Sequence, residues 1–165
     1  AMAALPYETL EQEIKEIGLY RNKARNIIEM SRRLLEEHDG QVPQDREALE
    51  KLPGVGRKTA SVVLSNAFAV PAIAVDTHVF RVANRLGLAH NAKTPLETEK
   101  QLMRHIPKEQ WSKAHHWLIH HGRRICHARN PRCGQCPLLE LCPEGAKRQG
   151  TASEPTGATR RRRTP

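Results

Sequence analysis

Leu52-Pro53-Gly54-Val55-Gly56-Arg57-Lys58-Thr59-Ala60 joins two segments of helical periodicity through two glycines set one residue apart. Asp45 is placed to cap a short helix before this stretch, and an apolar helix is expected after it, over residues 57–68. Glycine tolerates the torsions of a tight turn and lets another backbone approach with no Cβ in the way. A helix that begins at such a turn points unpaired N–H groups and its positive end outward, which receives a phosphate without reading a base. A plain helix–helix turn is the competing reading. The run Leu-Pro-Gly-Val-Gly-x-x-Thr-Ala is, however, far more restrictive than a bare Gly-x-Gly. The hairpin therefore spans residues 49–68, and its expected DNA-facing residues are Leu52, Gly54, Val55, Gly56, Arg57 and Thr59.

Helical spacing continues on both sides. Leu10, Ile14 and Ile17 predict a helix over residues 8–17 that Gly18 ends. Ala24, Ile27, Ile28, Leu34 and Leu35 predict a second over 22–37, stopped at Gly40. Asp76-Thr77-His78 opens a helix that closes near Gly87, and Thr94-Pro95 opens the next. A last long helix is expected over 108–125. Residues 70–75 are apolar but short and carry Pro71, so no convincing strand appears. The fold class is all-α.

The 165 residues carry a formal charge of +9. Such a surface concentrates polyanions, which makes nucleic acid or an anionic membrane the natural partner class. Two Phe, two Tyr and two Trp are too few for the stacking platforms of single-strand binders. No apolar run approaches membrane-spanning length and no signal segment opens the chain, so a soluble cytoplasmic protein with no membrane partner is expected. From residue 123 onward ten Lys and Arg face three acids, which puts most of the excess charge in the last quarter. From about residue 146 the composition turns to Gly, Ser, Thr, Pro and Arg, and a disordered basic tail over 146–165 is expected.

Lys58 falls in the first turn of the helix after the hairpin, where a cation opposes the helix dipole. A neutral amine there can attack a sugar C1′, displace a base and form an imine. An exposed lysine touching a phosphate is the competing reading. Asp76 stands where an N-cap is expected, and a capping carboxylate that also faces a cleft can stabilise a developing oxocarbenium charge. All four cysteines fall within seventeen residues, as Cys126-x6-Cys133-x2-Cys136-x5-Cys142. Such a cluster reads as a metal site before it reads as disulfides, and spacing does not separate zinc from an iron–sulfur cube. The metal would act as a staple that holds the loop 127–132 and turns Arg129 and Arg132 toward phosphates. His115, His116, His120 and His121 offer no third ligand and read as packing or phosphate-facing residues.

Five stretches now stand together: residues 17–20 (Ile-Gly-Leu-Tyr), the hairpin, residues 73–78 (Ile-Ala-Val-Asp-Thr-His), residues 115–119 (His-His-Trp-Leu-Ile) and the cysteine spacing. With them the chain resembles the helix-hairpin-helix DNA glycosylases, and among them the endonuclease III family, from about residue 10 to 142. The resemblance implies two helical lobes with a DNA-binding cleft between them, divided here into a partial bundle over 1–71 and a cluster-bearing lobe over 72–145. It implies Lys58 as nucleophile, Asp76 as catalytic carboxylate, and Cys126, Cys133, Cys136 and Cys142 as ligands of a [4Fe-4S] cluster. It further implies damaged double-stranded DNA as partner, with the target nucleotide flipped into the cleft. The implied activity is excision of oxidised pyrimidines followed by β-elimination 3′ to the abasic site, in a bacterial, nucleoid-associated enzyme that is monomeric when full length. The N-terminal helices of the family fold have no counterpart in this sequence, and weak folding or weak activity is expected of this piece alone. An A·G-mismatch glycosylase would generally lack lysine at position 58. A pyrimidine-dimer glycosylase would use the same chemistry. A non-catalytic DNA-binding module is the rival of a different class.

Overall fold

The structure, a computed structural model, describes residues 1–150. Among them it is all-helical: α1 (Tyr7–Glu13), α2 (Tyr20–Glu37), α3 (Arg46–Lys51), α4 (Arg57–Ala67), α5 (Thr77–Leu86), α6 (Pro95–His105), α7 (Trp111–Arg124) and α8 (Pro143–Gln149), with short 3₁₀ turns between. No helix among the described residues is long and apolar enough to cross a membrane.

Caps set most of the boundaries. The Asp45 carboxylate accepts from the Ala48 amide at 2.8 Å, and Asp76 accepts from Val79 at 2.8 Å. Thr94 accepts from Glu97 at 3.1 Å ahead of Pro95. Each supplies one of the partners a helix start lacks. At the end of α2 the Gly40 amide reaches back to the Leu34 carbonyl at 2.7 Å, with Gly40 at φ +73°.

Three expected bounds shift. The first helix stops at Glu13 rather than near residue 17, because the Lys15 and Ile17 amides close shorter turns onto the Gln12 and Ile14 carbonyls. The last long helix starts at Trp111, after a 3₁₀ turn over Lys108–Gln110. Residues 146–149, expected to open a disordered tail, are helical instead. The Cys142 sulfur accepts the Gly145 amide at 3.3 Å, Pro143 occupies the first turn, and residues 143–149 form α8. The remainder of that tail, residues 151–165, lies outside the described residues.

The core falls into separate clusters. Leu10, Ala24 and Ile28 pack α1 on α2, while Leu49, Leu52, Ala60 and Leu64 close the hairpin. The largest cluster gathers Ile73, Val75, Val79, Val82, Ala83, Leu102 and Leu118 from the 73–75 segment and α5, α6 and α7. Helices α5 and α7 approach closely at Gly122, where a Cβ would stand 3.1 Å from both His78 and Val82. The apolar residues 72–75 are therefore core, buried without being a strand.

Candidate active site and cysteine centre

The hairpin turn is held by Gly54 at φ +77°, a torsion that L side chains rarely adopt. A Cβ there would also meet Asn26 of α2 at 2.9 Å, so this glycine serves the fold. Gly56 differs: its torsion is ordinary and a Cβ would meet nothing of the protein within 4 Å. Gly56 is the N-cap of α4, a position that accepts glycine, and its α-carbon faces open space among the described residues. Thr59 is exposed and Val55 packs partly on the hairpin core.

Two hairpin expectations need correction. Leu52 is 4% exposed and belongs to the core, so only its backbone can take part in a turn-to-phosphate contact. Arg57 does not hold its guanidinium free for a phosphate. Its Nε and Nη2 donate to the two carboxylate oxygens of Glu99 on α6 at 2.7 and 2.8 Å, a bidentate pair on a carboxylate only 3% exposed. This bond, with Ser65 and Ser112 hydrogen-bonded across α4 and α7, fastens the hairpin helix to the second lobe. Glu99 raises the Arg57 pKa above the ordinary arginine range.

Lys58 follows Arg57 in the first turn of α4, exposed and without an ion pair among the described residues. Asp76 is half-buried at the start of α5. One of its oxygens takes the Val79 amide, while the other has no bonded partner among the described residues. His115 of α7 is buried, and its Nδ1 lies 2.6 Å from the Ala74 carbonyl, two residues before Asp76. A carbonyl can only accept, so Nδ1 carries the proton. Burial lowers the His115 pKa, and the Ala74 bond opposes that shift.

The four cysteines are free thiols, each half-buried, and all four line one cavity with Ile125, Pro131, His121 and Leu139. The disulfide alternative is gone. No set of three His, Cys, Asp or Glu side chains among the described residues is arranged to hold a single metal ion. Thiolates around one zinc sit about 2.3 Å from the metal and nearly touch each other. Thiolates of a cube each hold a separate corner and stand further apart. Four free thiols lining one cavity suit a thiolate-held centre, and Cys126, Cys133, Cys136 and Cys142 are the residues that could hold a cube.

Sequence reasoning missed the groups around this centre. Arg81 donates to the Gly122 carbonyl at 3.0 Å and the Cys126 carbonyl at 3.0 and 3.1 Å, and its Nη2 lies 3.1 Å from His78 Nδ1. Arg85 donates to the Cys126 sulfur, and His121 Nε2 lies 3.7 Å from the Cys136 sulfur. The His78, Arg81, Arg85 spacing puts all three on one helix face, but nothing in sequence says what that face meets. Arg129 and Arg132 are exposed and make no ion pair, as expected of phosphate-facing residues.

Comparison with known proteins agrees with this geometry. Residues 1–108 match the model of the HhH-GPD superfamily base excision DNA repair protein, and residues 126–142 match the iron–sulfur binding domain of endonuclease III. The chain is 61% identical over 145 residues to endonuclease III of Bacillus subtilis (strain 168), covering 88% of this chain and 66% of that one. It is 55% identical over 142 residues to endonuclease III of Escherichia coli (strain K12), covering 86% and 67%. It therefore spans about two thirds of the length of the curated relatives it matches. The solved structure of a trapped endonuclease III–DNA covalent intermediate superposes with a TM-score of 0.86 at 58% identity, covering 90% of this chain and 70% of that one. A thermostable thymine-DNA glycosylase superposes with a TM-score of 0.74 at 31% identity, over 88% and 69%. Identity, shared architecture and the cysteine segment converge: the chain belongs to the endonuclease III family of the HhH-GPD superfamily of base excision DNA repair proteins.

Proposed function

We propose that the chain acts as a DNA glycosylase and abasic-site lyase that removes oxidised pyrimidines from duplex DNA and cuts 3′ to the resulting site by β-elimination. One observation carries this reading. The first turn of α4 carries an exposed Lys58 that makes no ion pair among the described residues, and the start of α5 carries a half-buried Asp76 whose second carboxylate oxygen has no bonded partner among them.

In this reaction neutral Lys58 Nζ adds to C1′, the bond from C1′ to the base breaks, and the base departs with that electron pair and a proton from the amine. The bond from C1′ to the ring oxygen then opens, the oxygen takes a proton, and an iminium joins C1′ to the lysine. Loss of a C2′ proton expels the 3′-phosphate, and water releases the sugar and regenerates the amine. Asp76 stabilises positive charge at C1′ and relays the proton, with its other oxygen pinned to Val79 so that it cannot swing away. Gly54, Val55, Gly56, Thr59 and the Leu52 backbone cradle one phosphate, and Arg129 and Arg132 take others. The lobes divide near residue 71, where the hairpin core gives way to the α5–α7 core. One lysine and one cysteine centre per chain suffice for a monomer, and we assign its setting to the duplex of the bacterial nucleoid.

Borohydride trapping tests this on duplexes with thymine glycol, an abasic site or an A·G mismatch. Covalent adducts are expected on the first two only, and Lys58→Gln should abolish them. Duplex binding retained with no adduct on either from a full-length protein would leave a DNA-gripping module in place of an enzyme.

A further inference from the structure

Arg85 has no role in the chemistry above, yet its guanidinium donates directly to a cysteine sulfur. It stands in the last turn of α5, where a cation complements the helix dipole. It forms no ion pair with any acid among the described residues. Its Nη1 donates to the Cys126 sulfur at 3.4 Å and to the His127 carbonyl at 2.7 Å, and its Nη2 donates to the Ala128 carbonyl at 3.0 Å. The fork thus touches one thiol and the next two backbone carbonyls in line, and its half-buried position limits competition from water. Arg129 is the following residue, exposed, and Asn130 turns the chain with φ +50°.

We propose that Arg85 is a positioning residue with two linked duties: it raises the reduction potential of the centre held by Cys126, and it fixes the backbone that presents Arg129. A donor on a ligating sulfur withdraws charge from it and favours the more negative, reduced cluster. The guanidinium adds a full positive charge to the same effect. The two carbonyl bonds hold residues 127 and 128 in one conformation, so loss of the fork frees the loop that leads to Arg129. An ordinary packing arginine would do neither.

The test uses the iron-loaded protein and reads potential, iron retention and backbone exchange, none of which depends on catalysis. In Arg85→Gln the potential should move negative, iron should leave several-fold faster under chelator challenge, and deuterium uptake at residues 127–129 should rise. In Arg85→Lys the charge stays but the fork is lost, so the potential should shift less while uptake rises as much. Arg124→Gln, an exposed change on α7, should alter none of these. If Arg85→Gln fails to load iron, Arg85→Lys carries the loop arm. An intact cluster with an unmoved potential, or a loop as protected as the parent in both variants, overturns the proposal.

Discussion

Replacing Arg57 by alanine leaves the Glu99 carboxylate, 3% exposed, without either of its two donors. Removing one partner of a buried pair costs about 3–5 kcal/mol because the surviving charge stays buried and uncompensated. The Arg57 side chain is 43% exposed, so water reaches the site and the lower end, about 3 kcal/mol, applies. For a domain of this size each kcal/mol moves Tm by roughly 2–4 °C, so a drop of roughly 6–12 °C is expected in thermal unfolding followed by circular dichroism. The double change Arg57→Leu with Glu99→Leu should recover most of that loss, since an apolar pair of similar volume replaces the ions without stranding one. The sign of the pH dependence can be worked out. Glu99 raises the Arg57 pKa, so this contribution is fully present below the ordinary arginine range and disappears only in strong alkali. Between pH 6 and 9, on the order of any practical buffer series, it should therefore be flat. The same variant separates a fastening role from a phosphate contact. Losing a phosphate contact lowers the salt slope of duplex binding by about one unit. Fastening predicts lower stability with an unchanged slope. A variant that melts with the parent and loses salt dependence would refute the assignment to Glu99.

Four further outcomes follow. Gly54→Ala forces a Cβ onto Asn26 at 2.9 Å in a backbone at φ +77°, and the urea midpoint should fall by an amount equivalent to about 1–3 kcal/mol; an unchanged midpoint would show that the turn relaxes. Arg129→Glu should weaken duplex affinity and flatten its salt dependence in titrations at several salt concentrations, because one phosphate contact is lost. Burial holds the His115 pKa below 6.5, so the unfolded chain binds a proton in that range that the folded chain resists. Stability should therefore fall as pH drops below 6.5, and His115→Gln should lessen the slope of urea midpoint against pH. Lys58→Gln removes a cation from a helix start and should match or slightly exceed the parent in unfolding free energy, by at most about 1 kcal/mol in urea titration, while losing all trapping; a clear loss of stability would mean that Lys58 serves the fold.

The helices and their caps were legible because they depend on neighbours in sequence. Asp45, Asp76 and Thr94 all cap where expected, and Pro95 sits in the first turn. The cysteine spacing declared a metal centre for the same local reason. What sequence hid depends on contacts far apart along the chain. Nothing near Arg57 announces Glu99, forty-two residues away, so a basic residue beside a phosphate-binding turn reads as a phosphate ligand. Arg85 reaches residues 126–128 only because α5 and α7 pack closely at Gly122. A motif gives residue types without their burial, so it does not announce that the Leu52 side chain is core. Composition does not announce α8 for a different reason: a cysteine sulfur caps it, an acceptor that capping rules based on oxygen do not anticipate.

A division runs through the candidate site. Gly54, Leu52, Arg57 and Asp76 each have a reason to be there in the fold itself: a torsion, a core contact, an ion pair, a cap. Gly56 has a lesser one, as the N-cap of α4, where glycine is accepted. Lys58, Arg129 and Arg132 are exposed and make no ion pair among the described residues. In Lys58 the placement runs against the helix dipole, so folding alone would favour another residue. Residues that folding does not favour call for a use outside the fold. The proposed glycosylase and lyase reading gives all three cations one, a sugar carbon for Lys58 and phosphates for Arg129 and Arg132, whereas a scaffold that merely grips duplex gives no reason for the unfavourable placement of Lys58.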